Sequence, residues 1–425
     1  MLDARSLAER RDEIAASIRR RGVRADLDGA IALHTQVAAK QHELNETNRR
    51  RNEHQERGKK KLTPEEREAH AAEGRALKEA VSRVEAETET LRAQLDGKLR
   101  ELPNFLHPAV PDGGEEDAKE LRRVGTPAEL SFAPKDHLQL TAALDLADFD
   151  GGAKVAGQKF YFLKNEAVLL ELALQRYALD VLLAEGFTPY VTPDLARVEI
   201  LEGIGFNPRG EETQVYSVAN TDLCLVGTAE ITLGGLYADT ILEEDQLPVK
   251  MAGISHCFRT EAGAAGRESK GLYRVHQFTK VEMFAITRPD DSDAMHEQLL
   301  AIEERLYRGL ELPYRVVDIA AGDLGAPAFR KFDIEAWMPG RGERGSWGEI
   351  SSTSNCTDYQ ARRLRVRFRR RATKKNEFAH MLNGTAVSNA RLILALVENH
   401  QRADGSIAIP KALQPYVGRD VIGPR

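Results

Sequence analysis

Two stretches of the 425-residue chain carry residue types and spacings that could do chemistry. The first runs Phe258-Arg259-Thr260-Glu261, passes through a loop of Gly, Ala and charged residues over 262–271, and returns as Leu272-Tyr-Arg-Val-His-Gln-Phe278-Thr-Lys-Val-Glu282. That pattern predicts a β-hairpin with a long charged tip. A guanidinium at Arg259 can hold two oxygens of a phosphate or carboxylate in bidentate fashion. Glu261 can accept from the exocyclic amine of a base, and an aromatic on the return strand offers a stacking surface. By itself, Arg-Thr-Glu fits an ordinary salt-bridged hairpin as well. The second stretch is Leu382-Asn383-Gly384-Thr385-Ala-Val-Ser-Asn-Ala390-Arg391. It reads as a small-residue turn leading into an apolar helix, with Arg391 early in that helix. An isolated Arg beside apolar neighbours needs an anionic partner.

Other nucleotide and hydrolase signatures fail. Gly340-Arg-Gly342-Glu-Arg-Gly345 fits the dinucleotide spacing letter for letter, but Pro339 opens it and no helix pattern follows to present amides to a pyrophosphate. It reads as a loop. The chain has no Gly-x-x-x-x-Gly-Lys-Ser/Thr and no Gly-x-Ser-x-Gly, and His296-Glu297 lacks a second His. Cys224, Cys257 and Cys356 are widely spaced, with neither a Cys-x-x-Cys nor a zinc-ligand pattern, and read as buried free thiols. With 60 Lys+Arg against 66 Asp+Glu, bulk charge cannot hold a nucleic acid, although a local basic surface can. No apolar run is long enough to span a membrane, and the charged N-terminus is unlike a secretory leader, so a cytoplasmic protein is expected.

The elements that must position these residues fall into two kinds. Residues 1–102 are rich in Glu, Arg, Lys, Ala, Leu and Gln, a helix-forming composition. A short helix is expected over 3–20, with Leu7, Ile14 and Ile18 on one face. A second begins near Asp26 and breaks at Gly58. Thr63-Pro64-Glu65-Glu66 then restarts a helix, with Pro at its first position and Glu66 closing a capping box on Thr63. Two arms of about 35 residues make an antiparallel coiled-coil hairpin roughly 50 Å long. A Pro-rich, acidic linker follows. Beyond it the pattern is mixed, with a helix over 163–185 and strand-like runs over 248–258, 273–284, 314–319, 332–337 and 363–369. Too few crossover helices separate these runs for a parallel sheet, so the fold class is α+β, an antiparallel sheet flanked by helices. The expected domains are 1–103, a linker over 104–125, and 126–425.

The order of Gly186-Phe-Thr-Pro-Tyr-Val-Thr-Pro193, the 258–278 hairpin and the 383–401 segment resembles the three motifs of the class II aminoacyl-tRNA synthetases. More narrowly, Thr228-Ala229-Glu230, the loop Thr-Glu-Ala-Gly-Ala-Ala-Gly-Arg-Glu and Gly348-Glu349-Ile350-Ser351-Ser352-Thr-Ser-Asn-Cys-Thr-Asp-Tyr-Gln-Ala-Arg-Arg363 are similar to the seryl-tRNA synthetase family. The likeness covers essentially the whole chain, including the hairpin. It implies ATP-dependent activation of L-serine to seryl-adenylate, then transfer to the 3′ end of tRNA(Ser), with tRNA(Sec) a second acceptor to be tested. Arg259 would bridge serine carboxylate and α-phosphate. Glu261 and the Val275 backbone would read adenine, Phe278 would stack on it, and Arg391 would lie on its other side. Thr260, Ile350 and Ser351 belong to the implied ATP set, and Glu349 and Ser352 to a Mg2+ site. Thr228, Ala229, Glu230, Glu282 and Thr385 would line the serine pocket with Arg259. Arg267 and Glu268 would meet pyrophosphate or the acceptor end. Arg49, Arg50, Arg51, Arg57, Lys59, Lys60 and Lys61 would contact tRNA, and Pro193 would mark a homodimer interface. A carrier-protein ligase of the same descent would lack the hairpin. A dead, RNA-binding paralogue would have lost Arg259, Glu261, Glu349 or Arg391.

Overall fold

The computed structural model describes residues 1–60, 63–206, 214–261 and 270–424. Lys61, Arg267 and Glu268 therefore lie outside the described residues. The chain divides into two compact units, 1–105 and 106–425.

The first unit is helical: α1 (Arg11–Arg20), α2 (Leu27–Arg57) and α3 (Pro64–Glu101). Asp26 starts α2 by accepting from the Gly29 amide at 2.9 Å. The capping box is formed, Thr63 Oγ1 accepting from Glu66 N at 3.2 Å and Glu66 Oε2 from Thr63 N at 2.7 Å. The helix expected over 3–20 is interrupted. Asp3 captures the Arg5 amide and closes a short 3-10 turn over Ala4–Ser6, so the α-helix begins only at Arg11. Leu7 and Ile14 are fully buried, and Val81, Val84, Leu95 and Leu99 bury one stripe of α3. Near the distal turn His54 and His70 stack at 3.7 Å, each Nε2 donating to the other's backbone carbonyl at 3.0 Å. Gly58 and Gly74 leave the room those rings occupy.

The second unit is built on an eight-stranded sheet. Its strands are β1 (Lys119–Val124), β2 (Thr188–Val191), β3 (Val249–Phe258), β4 (Gln277–Thr287), β5 (Tyr314–Asp318), β6 (Arg330–Met338), β7 (Ser346–Asn355) and β8 (His380–Ser388). Their spatial order is β1-β5-β6-β7-β8-β4-β3-β2. Every pairing is antiparallel except β2 with β3. Four helices matter to the site: α4 (Glu166–Ala184), α5 (Ala229–Gly235), α6 (Ser292–Gly309) and α8 (Asn389–Asn399), with the short α7 (Tyr359–Leu364) behind them. The principal core gathers Leu170 and Leu174 of α4, Leu299 and Leu306 of α6, Leu392 and Leu396 of α8, and Met283 and Ile334 from the sheet. Among the described residues no helix is long and apolar enough to cross a membrane.

Three expectations need correction. Residues 119–124, expected within a linker, form β1 and pair with β5 at the sheet edge, where alternate backbone groups find partners. The small-residue stretch 382–385 is not a turn but the middle of β8, buried on both faces, where Gly384 makes room for Glu303 and Met283. The run 363–369 is mostly not strand: Arg363 and Leu364 close a helix, Arg365 is left-handed, and only Arg367–Arg369 pairs as strand. The alternation itself survives, with Leu364, Val366 and Phe368 buried.

Candidate active site

Two β-bulges decide which side chains share the working face of the sheet. In β7, Glu349 pairs with Glu335 and Ser351 with Ile334, so Ile350 is the extra residue. In a regular strand residues 349 and 352 would point to opposite faces, because side chains alternate. The bulge restores them to one face, beside Lys331 and Asp333. In β8 a register shift between Thr385 and Val387 sets Thr385 opposite Glu282 and Ser388 opposite Lys280. One face thus presents Phe278, Lys280 and Glu282 of β4, Asn383, Thr385 and Ser388 of β8, and Glu349 and Ser352 of β7.

On the other face, α6 grips the same strands. His296 Nε2 donates to Thr353 O at 3.0 Å, Ser351 Oγ donates to Glu303 at 3.2 Å, and Tyr307 O–H reaches Thr385 O and Ala386 O at 3.2 Å. Burial holds the Glu303 carboxyl well above the usual carboxylate range.

The working face floors a cavity of about 390 Å3. Thr228, Glu230, Arg259, Glu261, Val275, Phe278, Glu282, Glu349, Ile350, Ser351, Ser352, Thr385 and Arg391 all line it. Two expected residues do not: Ala229 is fully buried in the α5 core, and Thr260 donates its amide to Gln214 O at 3.2 Å. Lining residues for which the sequence gave no role include Tyr273, Arg274, Lys280, Lys331 and Asn383. The signal for Lys280 was its i, i+2 spacing to Phe278 and Glu282 on a strand. Lys331 and Tyr273 carried none.

Charge is divided unevenly inside. Arg391 Nη1 meets a Glu349 carboxylate oxygen at 2.8 Å, and its Nε reaches Tyr273 O at 3.4 Å. Burial alone would raise the Glu349 pKa, but Arg391, with Lys331 and Arg259, outweighs it and holds the group at about 2. Arg259 lies with Cζ 5.4 Å from the Phe278 ring centroid, and its backbone is tied to His276 by hydrogen bonds of 3.0 and 2.8 Å. Arg274 pairs with Glu261 at 3.2 Å. Lys280 pairs with Glu282, both nearly fully buried. Lys331 pairs with Asp333 at 3.2 Å.

Glu230 is different: among the described residues no cation pairs with it. It accepts from Gln360 Nε2 at 2.6 Å and Asn383 Nδ2 at 2.9 Å. Burial, then the neighbouring Glu282 charge, pushes it up to about 7. A carboxyl raised on folding binds its proton more tightly in the folded state. Its contribution is therefore full below its unfolded pKa near 4.5 and is lost as pH rises toward 7. Glu230→Gln should remove that loss, stabilising the protein at pH 8 relative to pH 5 by on the order of 2 kcal/mol compared with the parent. Thermal melts of both proteins across that interval check the sign. Parallel curves would mean Glu230 is ionised throughout.

Among the described residues no group of three or more His, Cys, Asp or Glu is arranged to hold a metal. The cavity offers an ionised carboxylate at Glu349 and a hydroxyl at Ser352 on one strand face. That pair fits a Mg2+ completed by substrate phosphates and water, since this ion prefers few protein ligands, all oxygen.

The family model "Seryl-tRNA synthetase N-terminal domain" matches residues 1–106, and "tRNA synthetase class II core domain (G, H, P, S and T)" matches 215–400. The serine--tRNA ligase of Rhodopirellula baltica is 53% identical over 423 residues, 99% of each chain. The crystal structure of seryl-tRNA synthetase from Pyrococcus horikoshii, complexed with ATP, superposes with a TM-score of 0.91 at 40% identity, covering 100% of both chains. A cytoplasmic serine-tRNA ligase of Naegleria fowleri in complex with AMP gives 0.86 at 31% identity, covering 100% of this chain and 99% of the other.

Proposed function

The chain belongs to the seryl-tRNA synthetase family and is an ATP-dependent serine–tRNA ligase, and from that premise we propose how its residues divide the work. The observation that carries the assignment is the meeting, in one cavity, of Thr228, Arg259, Glu282, Glu349, Thr385 and Arg391, drawn from segments far apart in sequence.

In the first step a serine carboxylate oxygen attacks the α-phosphorus of ATP, and the bond to the β,γ-pyrophosphate oxygen breaks. No enzyme nucleophile is needed, so catalysis rests on positioning and charge stabilisation. Arg259 holds attacker and target together and neutralises charge on the α-phosphate. Its nearness to Phe278 supports this, because adenine stacked on that ring would leave the phosphates within reach of the guanidinium. Glu261 and the Val275 backbone read the adenine edge, and Arg391, braced by Glu349, covers the other side of the nucleotide. Glu349 and Ser352 hold Mg2+, which when bound neutralises phosphate charge. In the second step the terminal ribose hydroxyl of tRNA attacks the seryl carbonyl and AMP leaves.

The serine pocket lies over β4 and β8. Glu282, paired with Lys280, and the titratable Glu230 take the ammonium and hydroxyl, with Thr228 and Thr385 beside them. A pocket that hydrogen-bonds a hydroxyl rejects the analogue lacking it, because buried polar groups are left unpaired. Thr385→Ala should therefore raise KM for serine about tenfold or more and leave KM for ATP within twofold. Equal rises for both substrates would take Thr385 out of the pocket.

We further assign a cytoplasmic homodimer. Val191 is 85% and Leu172 57% exposed, and both line one groove with Val168. Such an apolar face suits a second copy. The tRNA partner is tRNA(Ser), with tRNA(Sec) tested in the same charging assay. The reading as a whole is tested by ATP–pyrophosphate exchange across the amino acids: only serine should support exchange, and a different preferred amino acid would overturn the pocket assignment.

A further inference from the structure

The Gly340–Gly345 loop lacks the helix a dinucleotide needs, yet its glycines do steric work. A Cβ on Gly340 would stand 2.4 Å from the Asp136 backbone, and one on Gly345, at φ +78°, 2.5 Å from the Trp337 ring. Gly340 N donates to Glu398 of α8 at 2.9 Å, which ties the loop to the helix that carries Arg391. The close approach delivers Arg341. Its Nη1 donates to Trp347 O at 2.8 Å, and its Cζ lies 4.5 Å from the Tyr273 ring centroid. A Cβ on Gly348 would sit 2.4 Å from that same guanidinium.

Tyr273 is a hub. A second guanidinium, Arg391, lies 4.9 Å from the same centroid and also donates to the Tyr273 carbonyl. The Tyr273 hydroxyl accepts from the Glu349 amide at 3.1 Å. One ring therefore fixes the backbone of Glu349 and the side chain of Arg391, which themselves pair. Tyr273, Arg391 and Glu349 line the cavity, while Arg341 does not and stands behind them. An aromatic face attracts cations through its quadrupole, so Arg341 both packs and electrostatically anchors the ring.

We propose that Arg341 is a positioning residue for nucleotide binding, acting through Tyr273 to hold Arg391 and Glu349 in place. The inference rests on the assignment of Arg391 and Glu349 to ATP. Arg341→Ala should raise KM for ATP about tenfold and leave KM for serine within twofold, and Arg341→Lys should recover most of the loss. In a Tyr273→Leu background, where ATP binding is already weakened, Arg341→Ala should add nothing further. Melting temperatures report folding separately. Additive losses in the double variant, equal rises in both KM values, or no change in KM for ATP would overturn the inference alone. If Arg391→Ala left KM for ATP unchanged, the nucleotide assignment would fall and this inference with it.

Discussion

Arg259→Gln is expected to lower serine-dependent ATP–pyrophosphate exchange by about 10³-fold while the protein still melts near the parent temperature. The guanidinium lines the cavity but is not needed to complete the core. Its backbone stays fixed by the His276 hydrogen bonds whatever the side chain. What is lost is the bidentate charge that must hold carboxylate and phosphate against their mutual repulsion. Both substrates are anionic at the reacting ends, so that charge counts most in the transition state, and kcat should fall more than either KM rises. Arg259→Lys should recover little, because a point ammonium cannot span two oxygens of different groups. An Arg259→Gln protein within tenfold of the parent would show that the α-phosphate is held elsewhere.

Removing the distal hairpin should separate the two half-reactions. A chain joined by a short flexible link across 36–90 keeps Leu27, Ala30, Leu95 and Leu99, the buried residues at the base of the first unit. Exchange should stay within about twofold, while charging of tRNA(Ser) falls by at least about 10³-fold, since phosphate contacts dominate nucleic-acid affinity. The basic residues of the tip are partly matched by acids. Arg49 pairs with Glu53 at 2.8 Å, Arg57 with Glu73 at 2.8 Å and Lys59 with Glu56 at 2.6 Å. Exposed pairs of this kind are worth little, so a phosphate can displace the acid at small cost. Charging that survived the excision would move tRNA recognition off the hairpin.

How much of this was legible depended on whether a signal was local. The Thr63–Glu66 box, the α2 start at Asp26 and the 249–287 hairpin follow from short-range rules, and the structure has them. The pairing of Arg391 with an acid was foreseeable from its apolar surroundings, but the partner Glu349 lies 42 positions away in sequence. Long-range packing hid the rest. Residues 382–385 look like a turn because they are small, yet smallness is what lets α6 and the neighbouring strands close on the sheet centre. The three-residue step from Glu349 to Ser352 contradicts strand alternation until the bulge at Ile350 is known. No periodicity announces Tyr273 as the link between an arginine from a glycine-rich loop and the nucleotide site. Family resemblance named Glu349, Ser352 and Arg391 but neither Tyr273 nor Arg341. Geometry supplied the reason for them.

The most direct test of the assignment is a crystal structure with a non-hydrolysable seryl-adenylate analogue. The ligand should fill the cavity above β4, β7 and β8, with Arg259 touching the mimic of the α-phosphate and Phe278 and Arg391 on the two sides of the adenine. The serine hydroxyl should lie within hydrogen-bond reach of Thr385 and one of the two pocket glutamates. An analogue bound in another cavity, or one whose phosphate mimic meets neither Arg259 nor Arg391, would contradict the account.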